Sequence, residues 1–320
     1  MRRYLITVIP GLADNEKDKI RAVSEQYGLT ARFYTSPEEA ALVLPEAEIV
    51  FGQSGELADH APALKWLCTP SAGINQFSRK KVFITGQAVL TNSSGAYGVT
   101  ISEHVIMVLL EILRRQPEYT QIVSKREWVR SLPIRSIRDS NITLVGTGDI
   151  GQETAVRLRS FTPLRLTGVN RRGDNPGGLF DRIVKSIDLE IALPETDILI
   201  LSLPGTPDTE GMLGEKQLAM LPDGTVVINV GRGTVIRQSA LEKELRKGRL
   251  YAALDVFEKE PIPEEDPIWS CPNLLITPHI AGNMTLPYTV RRITELFLED
   301  LHNYCEGRPL KRQVNIKQGY

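Results

Sequence analysis

Short apolar runs rich in β-branched residues alternate, from residue 5 onward, with stretches whose apolar positions recur every three to four residues. Leu5–Ile9, Ala31–Tyr34 and Glu48–Phe51 read as strands, Asn15–Tyr27 as a helix and Pro37–Leu44 as a short one; Leu64–Cys68 and Val89–Asn92 read as further strands. Thr100–Arg114 then reads as a long apolar helix, with Ile101, Val105, Val108, Leu109 and Ile112 on one face and Thr100 or Ser102 as its cap. His104 falls inside it and reads as a packing or surface histidine. The stretch Gln116–Arg138 is polar and basic around a single large residue, Trp128, and by itself reads as a solvated excursion. A second strand and helix series starts at Asn141 and continues through Asp197–Leu203, Thr225–Val230, Tyr251–Val256 and Leu274–Thr277. Helices such as Gln238–Lys247, stopped by Gly248, lie between these strands. A last helix, Leu286–Tyr304, ends at Gly307 before a polar tail, Arg308–Tyr320. Two such series predict parallel sheets with helices on their faces, an α/β chain of two Rossmann-like or flavodoxin-like domains. No internal repeat or low-complexity segment interrupts them.

The turn that opens the second series narrows the chemistry. In I-T-L-V-G-T-G-D-I-G, strand formers run into Gly146, Gly148 and Gly151, and a helical pattern follows from Gln152. A dinucleotide pyrophosphate needs this order. One glycine makes the tight turn, one lets the backbone approach the phosphates, and one lets the helix pack on its strand. Free N–H groups at the helix start, where Asp149 and Ile150 stand, then meet the anion.

Composition excludes some partners. With 38 Lys and Arg against 39 Asp and Glu, the net charge is −1, so no strong positive field exists to hold nucleic acid or an anionic membrane. The length of 320 residues suits two ordinary domains. Cys68, Cys271 and Cys305 show no C-x-x-C spacing, which is expected of free thiols in a reducing compartment. The apolar run at the start stops at Pro10, too short for a signal peptide, and no run has membrane-spanning length. A soluble, cytoplasmic protein is the expectation.

The strand after the turn ends near residue 169. NAD-binding chains usually place an acid there to bond the adenine ribose, but here stand Asn170, Arg171 and Arg172. Two arginines suit a 2′-phosphate, which a carboxylate would repel. NADP is therefore expected ahead of NAD, the alternative being that Asp174 takes the ribose.

Ligands of open parallel sheets bind beyond the carboxyl ends of the strands. Three reactive residues follow strand-like runs of the second series: Arg232 after V-I-N-V-G, Glu260 after L-D-V-F-E-K, and His279 after L-I-T-P. Together they suit reduction of a carbonyl. The alkoxide that forms needs a proton donor, His279, which Glu260 would orient and keep protonated. It also needs a positive charge, and Arg232 would bind a substrate carboxylate or polarise the carbonyl.

The runs I-N-V-G-R-G-T-V-I (228–236), A-L-D-V-F-E-K-E-P (253–261) and T-P-H-I-A-G (277–282) are similar to those of the D-isomer-specific 2-hydroxyacid dehydrogenase family, in order and spacing. The resemblance covers nearly the whole chain and implies the same Arg232, Glu260 and His279 assignment. It also implies a cofactor domain (99–285) inserted into a substrate domain (1–98 with 286–320), and a homodimer formed through the 116–138 arm. Further site residues follow from it. The backbone amides of Ala72 and Gly73, in T-P-S-A-G-I-N, would hold a substrate carboxylate, small residues allowing close approach. Leu203 and Pro204 would line the adenine side, and Val230, Gly231 and Asp255 the nicotinamide side, no metal being needed.

The implied activity is reduction of a small 2-oxo acid, of glyoxylate or hydroxypyruvate type, to the D-hydroxy acid. Alternatives are a phosphoglycerate dehydrogenase, against which the short stretch after the last helix argues, and a dinucleotide-sensing corepressor-like binding protein. A short-chain dehydrogenase would need Tyr-x-x-x-Lys and a P-loop enzyme G-x-x-x-x-G-K-[ST]; neither occurs. Formate dehydrogenases of the superfamily carry Gln where Glu260 stands.

Overall fold

The first strand formers pair as β1 (Arg3–Val8), β2 (Leu29–Tyr34), β3 (Ala47–Gly52), β4 (Trp66–Cys68) and β5 (Val89–Thr91), connected by α1 (Asp14–Gln26) and the single-turn helices α2 (Pro37–Ala40), α3 (Glu56–Asp59) and α4 (Lys81–Ile84). They form one parallel sheet in the order β2-β1-β3-β4-β5. Strand β3 is buried along its whole length, as befits a parallel strand covered on both faces. This description comes from a computed structural model and covers residues 3–74, 76–77 and 80–316. The helix expected over 37–44 stops at Ala40, and a separate 3₁₀ turn spans Leu44–Glu46. Pro45 lacks the N–H that would carry the α-helical hydrogen-bond ladder through this stretch.

Residues Tyr97–Asn283 form a second unit, and Met1–Ala96 with Met284–Tyr320 form the first. The second unit holds α5 (Gly98–Leu113), α6 (Gln116–Ser124), β6 (Asn141–Val145), α7 (Asp149–Arg159), β7 (Arg165–Asn170), β8 (Arg182–Lys185) and β9 (Ile198–Leu201), then α8 (Glu215–Met220), β10 (Val226–Asn229), α9 (Gln238–Arg246), β11 (Tyr251–Leu254) and β12 (Leu274–Ile276). Its parallel sheet has the order β12-β11-β10-β9-β6-β7-β8. The chain reverses direction across the sheet at β6, where such folds open a crevice for ligands. Val145, Leu199, Leu201, Val227, Leu241 and Leu254 are among the residues of its buried aliphatic core.

Helix α5 begins at Gly98, so neither Thr100 nor Ser102 caps it; the Ser102 hydroxyl donates within the helix to the Val99 carbonyl at 2.9 Å. A Cβ at Gly98 would lie 2.7 Å from the Asp149 carboxylate, so the bare glycine admits an acid from α7 to the first turn of α5. The helix dipole favours a negative charge there. None of the residues of α6 is buried, and beyond it Trp128 is 88% exposed, with Val123 and Ile134 also open to solvent.

Helix α10 (Pro287–Cys305) belongs to the first unit. Phe297 stacks on Phe51 at 4.1 Å between centroids and on Trp66 at 5.3 Å, and Tyr304 stacks on Trp66 from the other end at 5.3 Å. The segment after α10 then pairs with β5, the Val314 amide donating to the Leu90 carbonyl at 2.9 Å. The last four residues of the tail, and Asn75 of the T-P-S-A-G-I-N loop, lie outside the described residues. Among the described residues no helix is long and apolar enough to cross a membrane, and no cluster of acidic, His and Cys side chains is arranged to hold a metal.

Candidate active site

Between β6 and α7, Gly146 has φ +104°, and a Cβ there would lie 2.9 Å from the Ser202 carbonyl oxygen. A Cβ at Gly151 would lie 2.1 Å from the Gly146 carbonyl oxygen. The fold itself needs these two glycines. Gly148 is different: a Cβ there would meet nothing of the chain within 4 Å. Its lack of a side chain leaves open space before the start of α7, which fits a phosphate approaching the helix. Two side chains that the sequence did not signal brace the turn. The Ser202 hydroxyl, after β9, donates to the Gly146 carbonyl at 3.1 Å, and Thr147 Oγ1 accepts from Asn170 Nδ2 at 2.8 Å. Ile150 is half-buried in the first turn of α7, while the Asp149 carboxylate sits against Gly98.

The end of β7 gives a more specific picture than residue types alone. Asn170 Nδ2 also donates to the Asp174 carbonyl at 2.8 Å, and its Oδ1 accepts from the Gly173 amide at 2.6 Å. Its side chain thus staples the loop from within. The charges presented outward are those of Arg171 and Arg172, both exposed, and Arg172 pairs with Asp174 at 3.1 Å. Such a solvent-facing pair is worth little and exchanges readily for a better anion.

Arg232, Glu260 and His279 lie in the loops at the carboxyl ends of β10, β11 and β12, three neighbouring strands. Arg232 is held by its own loop: Asn229 Nδ2 donates to the Arg232 carbonyl at 2.9 Å, and Asn229 Oδ1 accepts from the Gly231 amide at 3.1 Å. A Cβ at Gly231 would lie 2.6 Å from the Leu203 carbonyl oxygen, and one at Gly205 would lie 3.2 Å from Arg232 Cγ. The loop carrying Leu203 and Pro204 is therefore pressed on the loop carrying Val230 to Arg232. Val230 is buried, Leu203 half-buried and Pro204 exposed. On its other side a Cβ at Gly233 would lie 1.9 Å from the Phe257 carbonyl carbon. Burial pushes the Arg232 guanidinium below its ordinary pKa, and the negative charge of Glu260 opposes this.

Glu260 uses both oxygens: Oε1 accepts from the Phe257 amide at 2.9 Å, and Oε2 lies 2.6 Å from His279 Nδ1. His279 sits in the left-handed backbone region, with φ +53°. Asp255, buried at the end of β11, holds the loop that carries it. Its Oδ1 accepts from the Thr277 hydroxyl at 2.7 Å and the Ile280 amide at 2.9 Å, its Oδ2 accepts from the Ala281 amide at 3.0 Å, and its carbonyl accepts from the His279 amide at 3.0 Å. His104 of α5 reaches the same group, with Nε2 3.3 Å from Thr277 Oγ1.

In the first unit the loop after β4 is tied by its carbonyls. The Ala72 carbonyl accepts from Asn92 Nδ2 at 2.9 Å and the Gly73 carbonyl from the Ser71 hydroxyl at 2.8 Å. Among the described residues neither the Ala72 nor the Gly73 amide has an acceptor, leaving two adjacent donors.

The family model for the NAD-binding domain of D-isomer specific 2-hydroxyacid dehydrogenases matches residues 106–281, which span all three strand-end loops. The chain belongs to this family. Among its curated relatives, the glyoxylate/hydroxypyruvate reductase B of Pectobacterium atrosepticum is 30% identical over 275 residues, covering 83% of this chain and 85% of that protein. The D-3-phosphoglycerate dehydrogenase of Archaeoglobus fulgidus is 26% identical over 292 residues, 88% of this chain, but the match spans only 54% of that longer protein. Among solved structures, the NADPH-dependent glyoxylate/hydroxypyruvate reductase of Sinorhizobium meliloti, in complex with NADP and sulfate, superposes with a TM-score of 0.81 at 26% identity, covering both chains completely. The chain is thus a D-2-hydroxyacid dehydrogenase-type oxidoreductase with a domain for a nicotinamide dinucleotide.

A depression of about 680 Å³, lined by Asn141, Arg165, Asp181, Glu195 and Asp197, lies at the opposite, amino ends of the strands of this dehydrogenase's second sheet. Arg232, Glu260 and His279 lie at the carboxyl ends, away from it. Asn229, Ser202, Thr277 and Gly233 are the supporting residues that strand patterns did not announce. Asn229, Gly233 and Thr277 lie in the runs that carry the family resemblance, and Ser202 carried no signal.

Proposed function

We propose that this chain is an NADPH-preferring reductase of small 2-oxo acids, of glyoxylate or hydroxypyruvate type, yielding D-2-hydroxy acids. The observation that carries this is the 2.6 Å contact of Glu260 with His279 Nδ1. With Nδ1–H given to the carboxylate, Nε2 is the nitrogen left to deliver a proton. The bound reduced dinucleotide supplies a hydride to the carbonyl carbon. His279 gives the carbonyl oxygen its proton, and Glu260 orients the ring through Nδ1. Arg232 binds the substrate carboxylate or polarises the carbonyl, an attraction that partial burial strengthens by excluding water. The amides of Ala72 and Gly73 are a second proposed grip on the carboxylate. Residues Gly146 to Gly151 hold the pyrophosphate, and Leu203, Pro204, Val230, Gly231 and Asp255 line the rest of the cofactor.

Arg171 and Arg172 are assigned the 2′-phosphate, an assignment supported by the NADP complex of the Sinorhizobium relative. Asn170 supports them by shaping the loop. The exposed 116–138 arm around Trp128 is proposed to pair two copies of the chain, which sedimentation of a Trp128→Asp variant would test.

Initial rates with glyoxylate, hydroxypyruvate and 3-phosphohydroxypyruvate, each with NADPH and NADH, test the assignment. NADPH is expected to be preferred by at least about tenfold, and Arg171→Ala with Arg172→Ala to erase most of that preference. A preference for NADH would remove the cofactor assignment, and a preference for the phosphorylated acid would align the chain with the Archaeoglobus relative. His279→Ala is expected to lower kcat by about a thousandfold while NADPH binding holds.

A further inference from the structure

His104 has no part in the reaction as assigned above, yet it is built into the support of the residue that does. It stands half-buried in the second turn of α5, with Nε2 3.3 Å from Thr277 Oγ1. The Thr277 hydroxyl has one proton and gives it to Asp255 Oδ1 at 2.7 Å. Toward His104 it therefore acts as acceptor, and His104 Nε2 carries the N–H. Burial pushes the His104 pKa below its ordinary value, with the charges of Asp255 and Glu111 opposing, in keeping with a neutral ring whose one proton sits on Nε2.

The acid at the end of this chain is the anchor of the His279 loop. Asp255 receives the Ile280 and Ala281 amides on its carboxylate and the His279 amide on its carbonyl. His279 needs that anchor, because φ +53° is a conformation that a residue with a Cβ keeps only when its surroundings hold it there. A threonine hydroxyl has three staggered positions. Without a donor at its back, the Thr277 hydroxyl is free to leave Asp255, and the carboxylate to turn with it.

We propose that His104 is a positioning residue for proton transfer. Acting through Thr277 and Asp255, it fixes the backbone that aims His279 at the substrate oxygen. The proposal rests on His279 being the proton donor.

The test is steady-state kinetics of the full chain with NADPH and the best 2-oxo acid, for His104→Leu, His104→Gln, Thr277→Val, Thr277→Ser and the Leu/Val double variant, with His279→Ala as reference and thermal melts alongside. His104→Leu should lower kcat by about tenfold, as slight misplacement of a reacting group does, with KM for both substrates within about twofold. Glutamine sets an amide N–H near the reach of Nε2, and His104→Gln should recover most of the rate. The double variant should be no slower than the slower single one, since both cut the same chain of contacts. If His104→Leu does not fold, the Thr277 pair carries the test: Ser should keep the rate and Val lose it. A full rate in His104→Leu, equal losses for Leu and Gln, or losses that multiply in the double variant would each overturn the proposal. If His279→Ala itself kept its turnover, the assignment of the proton donor would fall and this proposal with it. An inactive His279→Ala beside a full-rate His104→Leu would sink the proposal alone.

Discussion

The two sheets are held together in different ways. At the middle of the five-stranded sheet, Phe51 and Trp66 stack with Phe297 and Tyr304, side chains brought from a helix more than two hundred residues further along. The aliphatic cluster of the seven-stranded sheet has a single aromatic, Phe257. Its strand-end loops meet instead through glycines, Gly231 on the Leu203 backbone and Gly233 on the Phe257 backbone. Large rings bury much area and tolerate small shifts. Backbone pressed on backbone buries little, but leaves the loop no freedom. The first arrangement secures a helix on its sheet, and the second fixes the loops that carry Arg232 and Phe257 against their neighbours.

Removing the ring that ties the first sheet to α10 should have the largest effect. Phe297→Ala is expected to cost about 3–5 kcal/mol, read by urea denaturation. Trp66, stacked on Phe297, provides the fluorescence signal. A loss under about 1 kcal/mol would show that the stack is not what secures α10.

The counterpart in the second sheet is Gly233→Ala, whose new methyl has no room beside Phe257. It should cost about 2–3 kcal/mol and lower kcat by more than the stability loss explains, because the Arg232 loop has to shift. Stability and kcat unchanged together would mean that the close glycine contact sets neither.

Gly148→Ala sharpens the contrast within one turn. Its methyl meets nothing of the chain, so melting should stay within about 1 °C while the KM for NADPH rises about tenfold. Equal damage to stability would place Gly148 with Gly146 and Gly151, as a glycine that the fold needs.

The smallest effect concerns an ion pair in the first unit. Arg3 donates to both Glu48 oxygens, at 2.9 and 2.7 Å, and its hydrogen bonds are the main cause holding the Glu48 carboxyl below its ordinary pKa. A depressed folded-state pKa gives stability that is present above the ordinary carboxylate range and is lost as pH falls through the folded value. Arg3 is partly exposed, so Glu48→Gln should cost only about 1 kcal/mol at pH 7, and the gap to the parent should close as the pH is lowered through the carboxylate range. A gap that widened in acid would reverse the sign and refute the pairing.

Much of this molecule was legible from spacing. The alternation of strand formers and amphipathic stretches marked β1 to β7 and β9 to β12 within a few residues. It passed over β8, a four-residue strand at the edge of its sheet. Turn chemistry marked Gly146 to Gly151, and the order of residues after the strands pointed to Arg232, Glu260 and His279. Helix starts were read less well. Gly98 and not Thr100 opens α5, and the Asp149 carboxylate lies against its first turn.

The sequence by itself determined two parallel α/β series, a dinucleotide-type turn and the set of reactive residues at the strand ends. Each of these depends on residues near one another in the chain, whose periodicity and backbone preferences act locally. Tertiary structure alone decided how those residues are used. It showed that Gly151 serves the fold while Gly148 faces open space, and that Asn170 is spent on its own loop. It also showed that Asp255 anchors the His279 backbone, and that His104 meets Thr277 across 173 residues of chain. Such pairings depend on which strands become neighbours and how closely their loops pack. Hydrophobic spacing carries no record of either. The stretch from Gly146 to Gly151 therefore marks a dinucleotide-type turn, and the packing around Asp255 fixes the backbone of His279.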